Sequence, residues 1–140
     1  MKTRQLILPL FLLLLTVYSY AQQTATLQCN IEALEAGEEP ADVCFFTEAP
    51  DESPVDFTIE AYLDEEITWS GVGEIKIHKI QWKNGTKIFN GRDPKGNANG
   101  RAKDKTKKVT SDDDPYVYTL VFKVKGDKYE IDPIIRVKNR

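Results

Sequence analysis

Between Tyr116 and Val137 the sequence alternates so regularly that it admits one kind of local structure. Tyr116, Tyr118, Leu120, Phe122 and Val124 occupy one phase of a period of two, and Tyr129, Ile131, Pro133, Ile135 and Val137 form a second such set after Gly126-Asp127. Side chains two apart share a face only in an extended strand, so the segment reads as a β-hairpin with one apolar face. A two-residue turn at Gly126-Asp127 would set Val124 against Tyr129, Phe122 against Ile131, Tyr118 against Ile135 and Tyr116 against Val137. Pro133 cannot donate to a ladder, which predicts an edge strand or a break at Asp132-Pro133.

The same period recurs upstream. Phe57, Ile59, Ala61 and Leu63 alternate with polar residues, Asp64-Glu65 turns the chain, and Glu66 to Trp69 reads as another short strand. From Ile75 to Trp82, Ile75 and Ile77 lie in one phase and Ile80 and Trp82 in the other. One inserted residue explains the change, and a β-bulge near His78-Lys79 would return both pairs to the core. Asn84-Gly85 lies between β-rich runs and predicts a second hairpin, because both residues tolerate positive φ. No segment shows a helical period. The expected fold is therefore all-β: an antiparallel immunoglobulin-like β-sandwich of about seven strands.

Lys2 and Arg4, the apolar block Leu6 to Val17 and Ser19-Tyr20-Ala21 have the order of a secretory signal, cleaved after Ala21. The block is shorter than the roughly 20 residues a membrane helix needs, so no transmembrane segment is expected and the address is secreted or periplasmic. The expected organisation is a signal peptide at 1–21, an acidic segment at 22–56 and a β-sandwich domain at 57–140. Export places Cys29 and Cys44 where disulfides persist, and their pairing would clip two short strands or an arm. In the chain-entropy model the clip contributes about 3 kcal/mol.

Removing Lys2 and Arg4 leaves 17 basic against 22 acidic residues, a net charge of −5. Residues 22–66 hold thirteen acidic residues and no Lys or Arg, so the first third is acidic and the remainder basic. The two parts either attract each other within one fold or leave a basic face for a polyanion. Residues 90–108 lack any large apolar side chain and carry Arg92, Lys95, Arg101, Lys103, Lys105, Lys107 and Lys108 against two acids. They read as a mobile loop and a possible anion-binding site, for an anionic polymer or the acidic segment of a neighbouring copy. Interleaved aromatics are absent, which argues against stacking on nucleic acid.

Catalytic and cofactor signatures are lacking. His78 is the sole histidine, and the exported chain has no methionine, so blue-copper and three-His zinc sites cannot be assembled. None of Ser53, Ser70 and Ser111 sits in Gly-x-Ser-x-Gly, and no phosphate-binding glycine motif follows a strand. Asp112-Asp113-Asp114, and Asp93 with Asn97 and Asn99, miss the spacing of calcium loops. No cofactor and no metal are expected. A small carboxylate-dependent hydrolase remains as an alternative, since two suitably placed acids suffice for glycoside hydrolysis.

Ile67-Thr68-Trp69-Ser70-Gly71, the run Tyr116 to Val124 and Ile131-Asp132-Pro133-Ile134-Ile135-Arg136-Val137 resemble segments of small exported β-sandwich proteins of Bacteroidetes. The resemblance covers the C-terminal two-thirds of the exported chain and rests on strand patterns. It implies an immunoglobulin-like fold and a periplasmic or extracellular address, and it carries over no catalytic residue. The leading expectation is an exported, non-catalytic module that binds a protein or surface glycan through loops and a strand edge, with polyanion binding through 90–108 as a further alternative.

Overall fold

The structure, a computed structural model, describes residues 22–140; the signal expected at 1–21 lies outside them. Nine strands form among the described residues: β1 (Gln23–Cys29), β2 (Cys44–Phe46), β3 (Thr58–Tyr62), β4 (Glu66–Gly71), β5 (Lys76–Asn84), β6 (Ala102–Lys105), β7 (Tyr116–Val124), β8 (Asp127–Ile131) and β9 (Ile134–Lys138). They make two sheets, one in the order β2-β1-β4-β6, the other in the order β3-β9-β7-β5 with β8 also paired to β7. The sheets enclose one core, and Trp69 of the first packs edge-on against Tyr118 of the second, donating its indole N–H to the Tyr118 hydroxyl at 3.2 Å. The all-β, two-sheet expectation holds.

Several details differ. The sheets are mixed, because β1 runs parallel to β4 and β3 parallel to β9. Parallel neighbours need a long connection, and α1 (Ile31–Glu35), α2 (Pro40–Val43), β2 and β3 lie along the route from β1 to β4. These helices have five and four residues, too few to show a helical period, which is why the sequence conceals them. Asn30 caps α1 through its side chain, which accepts from the Ala33 N–H, and Pro40 opens α2. Cys29 and Cys44 face each other at the β1–β2 rung and are joined by the expected disulfide.

The C-terminal hairpin forms with its apolar faces as expected, but its register is shifted by two residues. Val124 pairs with Asp127, Phe122 with Tyr129, Leu120 with Ile131 and Tyr116 with Ile135. The turn is Lys125-Gly126, both at positive φ, rather than Gly126-Asp127. Moving a turn by one residue moves every partner by two, so each side chain keeps its face. Asp132-Pro133 interrupts the strand, separating β8 from β9, and β9 lies inside the sheet rather than at its edge. The bulge is present too: Ile77 pairs with Phe122 and Lys79 with Val121, leaving His78 extra. Ile75, Ile77 and Ile80 are all buried.

Asn84-Gly85 turns the chain without forming a hairpin. The free edge of β5 is instead occupied by residues 94–100: Ile80 N–H donates to Pro94 O, Gly96 N–H to His78 O and Ile77 N–H to Gly100 O. The basic segment is therefore no projecting loop. It straps β5, then enters the other sheet as β6, where Gly100, Ala102 and Thr106 are buried and Arg101, Lys103, Lys105 and Lys107 exposed. The strap passes so close that a Cβ on Gly96 would meet the Ile77 carbonyl, and one on Gly100 would lie 2.7 Å from Lys76 Cβ.

Phe122 is fully buried and stacks on Tyr129, so Phe122→Ala is expected to lower stability by about 3 to 5 kcal/mol in chemical denaturation. The Ile77 and Ile80 amides are expected to exchange slowly with deuterium, and Gly96→Ala to accelerate both. Fast exchange in the native protein would contradict the strap.

Candidate functional site

Alternation decides which side chains of the first sheet meet solvent. Ala25, Leu27, Ile67, Trp69 and Ala102 turn inward and are buried, so Thr24, Thr26, Thr68, Ser70, Lys103 and Lys105 turn outward. Register then aligns them: Thr24 faces Thr68, Thr68 faces Lys103 and Glu66 faces Lys105. The Gln22 side-chain amide donates to Thr68 Oγ1 at 2.7 Å and to Glu66 Oε1 at 3.3 Å. The result is a polar sheet face of hydroxyls and an amide with a basic border on β6. Phe45 stands at its other border, on the outward position opposite Gln28. A groove of about 450 Å³ lies at one end, lined by Gln22, Asp64, Glu66, Lys105 and Lys107.

Folding disperses the seven basic residues singled out in the sequence. Lys103 and Lys105 project from the first sheet, and Arg101 precedes them with its backbone N–H held by Asn97 Oδ1. Lys107 is tied to Asp64 at 3.2 Å, and Lys108 is exposed without an ion pair among the described residues. Lys95 lies elsewhere, bridged through its backbone to Lys79 beside the second sheet. Arg92 lines a third place, a cavity of about 30 Å³ with Trp82, Lys87, Phe89, Asp93 and Tyr116. Burial pushes the Tyr116 phenol well above its ordinary value, with the Asp93 charge adding to the effect.

Sequence reasoning missed the role of Thr24, Thr68 and the inward residues of β6. The available signal was the alternation of Gly100, Ala102, Asp104 and Thr106 with Arg101, Lys103, Lys105 and Lys107. It is a strand pattern in which the inward residues are small or polar rather than large and apolar.

Two carboxylates, Asp64 and Glu66, share the groove, each with a lysine beside it. The buried acid Glu65 is engaged structurally, accepting from Gln23 Nε2 at 2.8 Å and from the Tyr62 N–H at 2.7 Å. Among the described residues no three His, Cys, Asp or Glu side chains are placed to hold a metal ion, and no helix is long and apolar enough to cross a membrane. No protein-family model matches the chain, and no curated protein matches it.

On the second sheet Asp132 accepts from Lys83 Nζ and from Thr119 Oγ1, both at 2.6 Å. Partial burial alone would raise its carboxyl, but the two hydrogen bonds and the lysine charge outweigh burial and hold it below its ordinary value. A depressed carboxyl stabilises the fold above its unfolded value of about 3.9, and that contribution is lost as pH falls through the folded value. The Lys83–Asp132 pair is part-exposed, so Asp132→Asn is expected to cost about 1 kcal/mol or less at pH 7. Denaturation curves of variant and native protein should converge in strong acid.

Proposed function

We propose that the protein is an exported, non-catalytic module with an immunoglobulin-like β-sandwich, and that it binds a surface glycan on the outer face of the first sheet. The carrying observation is the Thr24–Thr68–Lys103 row, bordered by Gln22 and Lys105. A sheet face of hydroxyls and an amide beside the Lys103 ammonium matches the hydroxyls and acidic groups of a sugar chain. A protein partner fits less well, because protein interfaces centre on buried aromatic anchors, and the single ring on this face, Phe45, stands at its border.

The signal sequence, the disulfide and the resemblance to exported sandwich proteins support the exported reading. The buried Trp69 packed across the two layers supports the immunoglobulin-like one. Two features depart from the antibody-type pattern, the parallel strand pairs and a disulfide within one sheet rather than between sheets. The hydrolase alternative draws on Asp64 and Glu66 in the shared groove.

On an array of neutral and acidic glycans the protein is expected to retain a defined subset. Thr24→Ala, Thr68→Ala and Lys103→Ala together should weaken that binding at least tenfold (about 1.4 kcal/mol or more) while leaving the melting temperature nearly unchanged. Binding that survives the triple change would place the ligand elsewhere. Release of reducing sugar from a bound glycan, abolished by Glu66→Gln, would establish the hydrolase instead.

A further inference from the structure

Three lysines stand in line on the outer face of the second sheet, where the sequence gives no hint of a cluster. Ile77, Phe122 and Val124 turn into the core, so Lys76, Lys123 and Lys128 turn outward, and register sets Lys76 opposite Lys123 and Lys123 opposite Lys128. Neighbouring strands lie about 4.8 Å apart, so the row runs about 10 Å across β5, β7 and β8. The bulge at His78 puts Lys79 opposite Val121 on the same face, and the strap bridges Lys95 to Lys79 beyond the edge of β5.

Like charges directly opposite each other on a sheet are destabilising, and among the described residues no ion pair offsets them. Lys83, Lys107, Lys125 and Lys138 each reach a carboxylate, whereas Lys76, Lys79, Lys95, Lys123 and Lys128 make no ion pair among the described residues. The carboxylates of β8 and its exit on this face are Glu130, opposite Val121, and Asp132, already bound to Lys83 and Thr119. His78 reports the field of four of these lysines: partial desolvation and then the charges of Lys123, Lys128, Lys79 and Lys95 hold its imidazole below its ordinary value.

We propose that the Lys76–Lys123–Lys128 row, extended by Lys79 and Lys95, is a docking site for a linear sulfated polysaccharide lying across the strands. It is a second site, on the opposite face of the sandwich from the Thr24–Thr68–Lys103 row. The row is built from lysines without an arginine. Such point charges suit a string of closely spaced anionic groups rather than bidentate capture of one phosphate or carboxylate. Among the described residues the row itself has no aromatic ring beside it except His78, and Tyr62, the other ring on this face, stands on the far strand β3, so a run of stacked bases finds no platform. Nor does the face carry an apolar anchor for a bilayer: Val121 is buried among the lysines, and Tyr62 stands on the far strand β3. A row of lysines running across the strands fits an extended chain.

The test measures binding of the protein to dextran sulfate, uncharged dextran of equal length, double-stranded DNA and anionic phospholipid vesicles. Dextran sulfate is expected to bind and dextran to fail, with affinity falling about 100-fold between about 50 and 200 mM salt for five released counterions. Lys76→Gln, Lys123→Gln and Lys128→Gln together should lower that affinity at least tenfold, while Lys103→Gln with Lys105→Gln changes it less than twofold. The triple variant should melt no lower than the native protein, since facing like charges have been removed, which separates lost binding from lost folding. His78, the sole histidine, gives a direct readout by NMR, and its titration midpoint should rise when dextran sulfate covers the lysines. Undiminished binding by the triple variant, an unmoved His78, or equal affinity for DNA or vesicles would overturn the assignment. A glycan array result confined to uncharged sugars and abolished by the Thr24, Thr68 and Lys103 changes bears on the first sheet alone and leaves this test independent.

Discussion

The register of β7 is the constraint on which the second sheet and much of the core depend. Its inward residues Tyr116, Tyr118, Leu120, Phe122 and Val124 are all buried, and burial of each large apolar side chain contributes about 1.5 to 3 kcal/mol. A slip of one residue would exchange them for Val117, Thr119 and Lys123, placing a charged group in a core that offers it no partner. Because β7 pairs with β5, β8 and β9, that choice also fixes which residues of those strands face solvent. The lysine row follows directly from it. Tyr118 carries the same constraint into the first sheet, since its hydroxyl receives the Trp69 indole proton.

The bulge in β5 joins core to surface in a second way. One extra residue at His78 lets Ile75, Ile77 and Ile80 all face inward, and the same displacement sets His78 and Lys79 against the basic face. It also shapes the edge that the strap must meet. His78 O accepts the Gly96 N–H, and the amides on either side of the bulge are bonded to Gly100 and Pro94. A free strand edge invites pairing with another chain; here residues 94–100 close it from within the protein. The glycines at 96 and 100 let the backbone approach that closely.

How much of this was legible in the sequence depended on whether the signal was local. The alternation of 116–137 and the bulge were readable because each is written in a few adjacent residues, whereas the turn expected at Asp64-Glu65 lies one residue earlier, at Leu63-Asp64, where the Glu65 N–H donates to Tyr62 O. The hairpin register was misplaced because Lys125, not Asp127, completes the turn, and a lysine at positive φ has no sequence signature. Asn84-Gly85 gave a false hairpin: residues 86–89 form no strand, and the β5 edge at 77–80 is bonded instead to the strap, whose residues lie more than ten apart from it in sequence. The parallel pairs β1–β4 and β3–β9 join distant segments and left no trace in composition. As for the candidate faces, Lys103 and Lys105 could be named but not placed. Thr24 and Lys123 acquire meaning only when separate strands become neighbours.

The separation of charge along the chain has a partial answer inside the fold. Asp64–Lys107, Glu35–Lys125 and Glu60–Lys138 each join the acidic first third to the basic remainder, as attraction between the two parts would require. All three are exposed pairs, screened by solvent, so they contribute little to stability. They also consume few of the available charges. With 22 acidic residues in the chain, carboxylates are not scarce, yet none is placed against Lys76, Lys103 or Lys123. Folding stability alone would favour interspersed signs on each face. The row of lysines without an ion pair among the described residues on the outer face of the second sheet works against it, and a ligand that supplied the missing negative charge would remove that conflict.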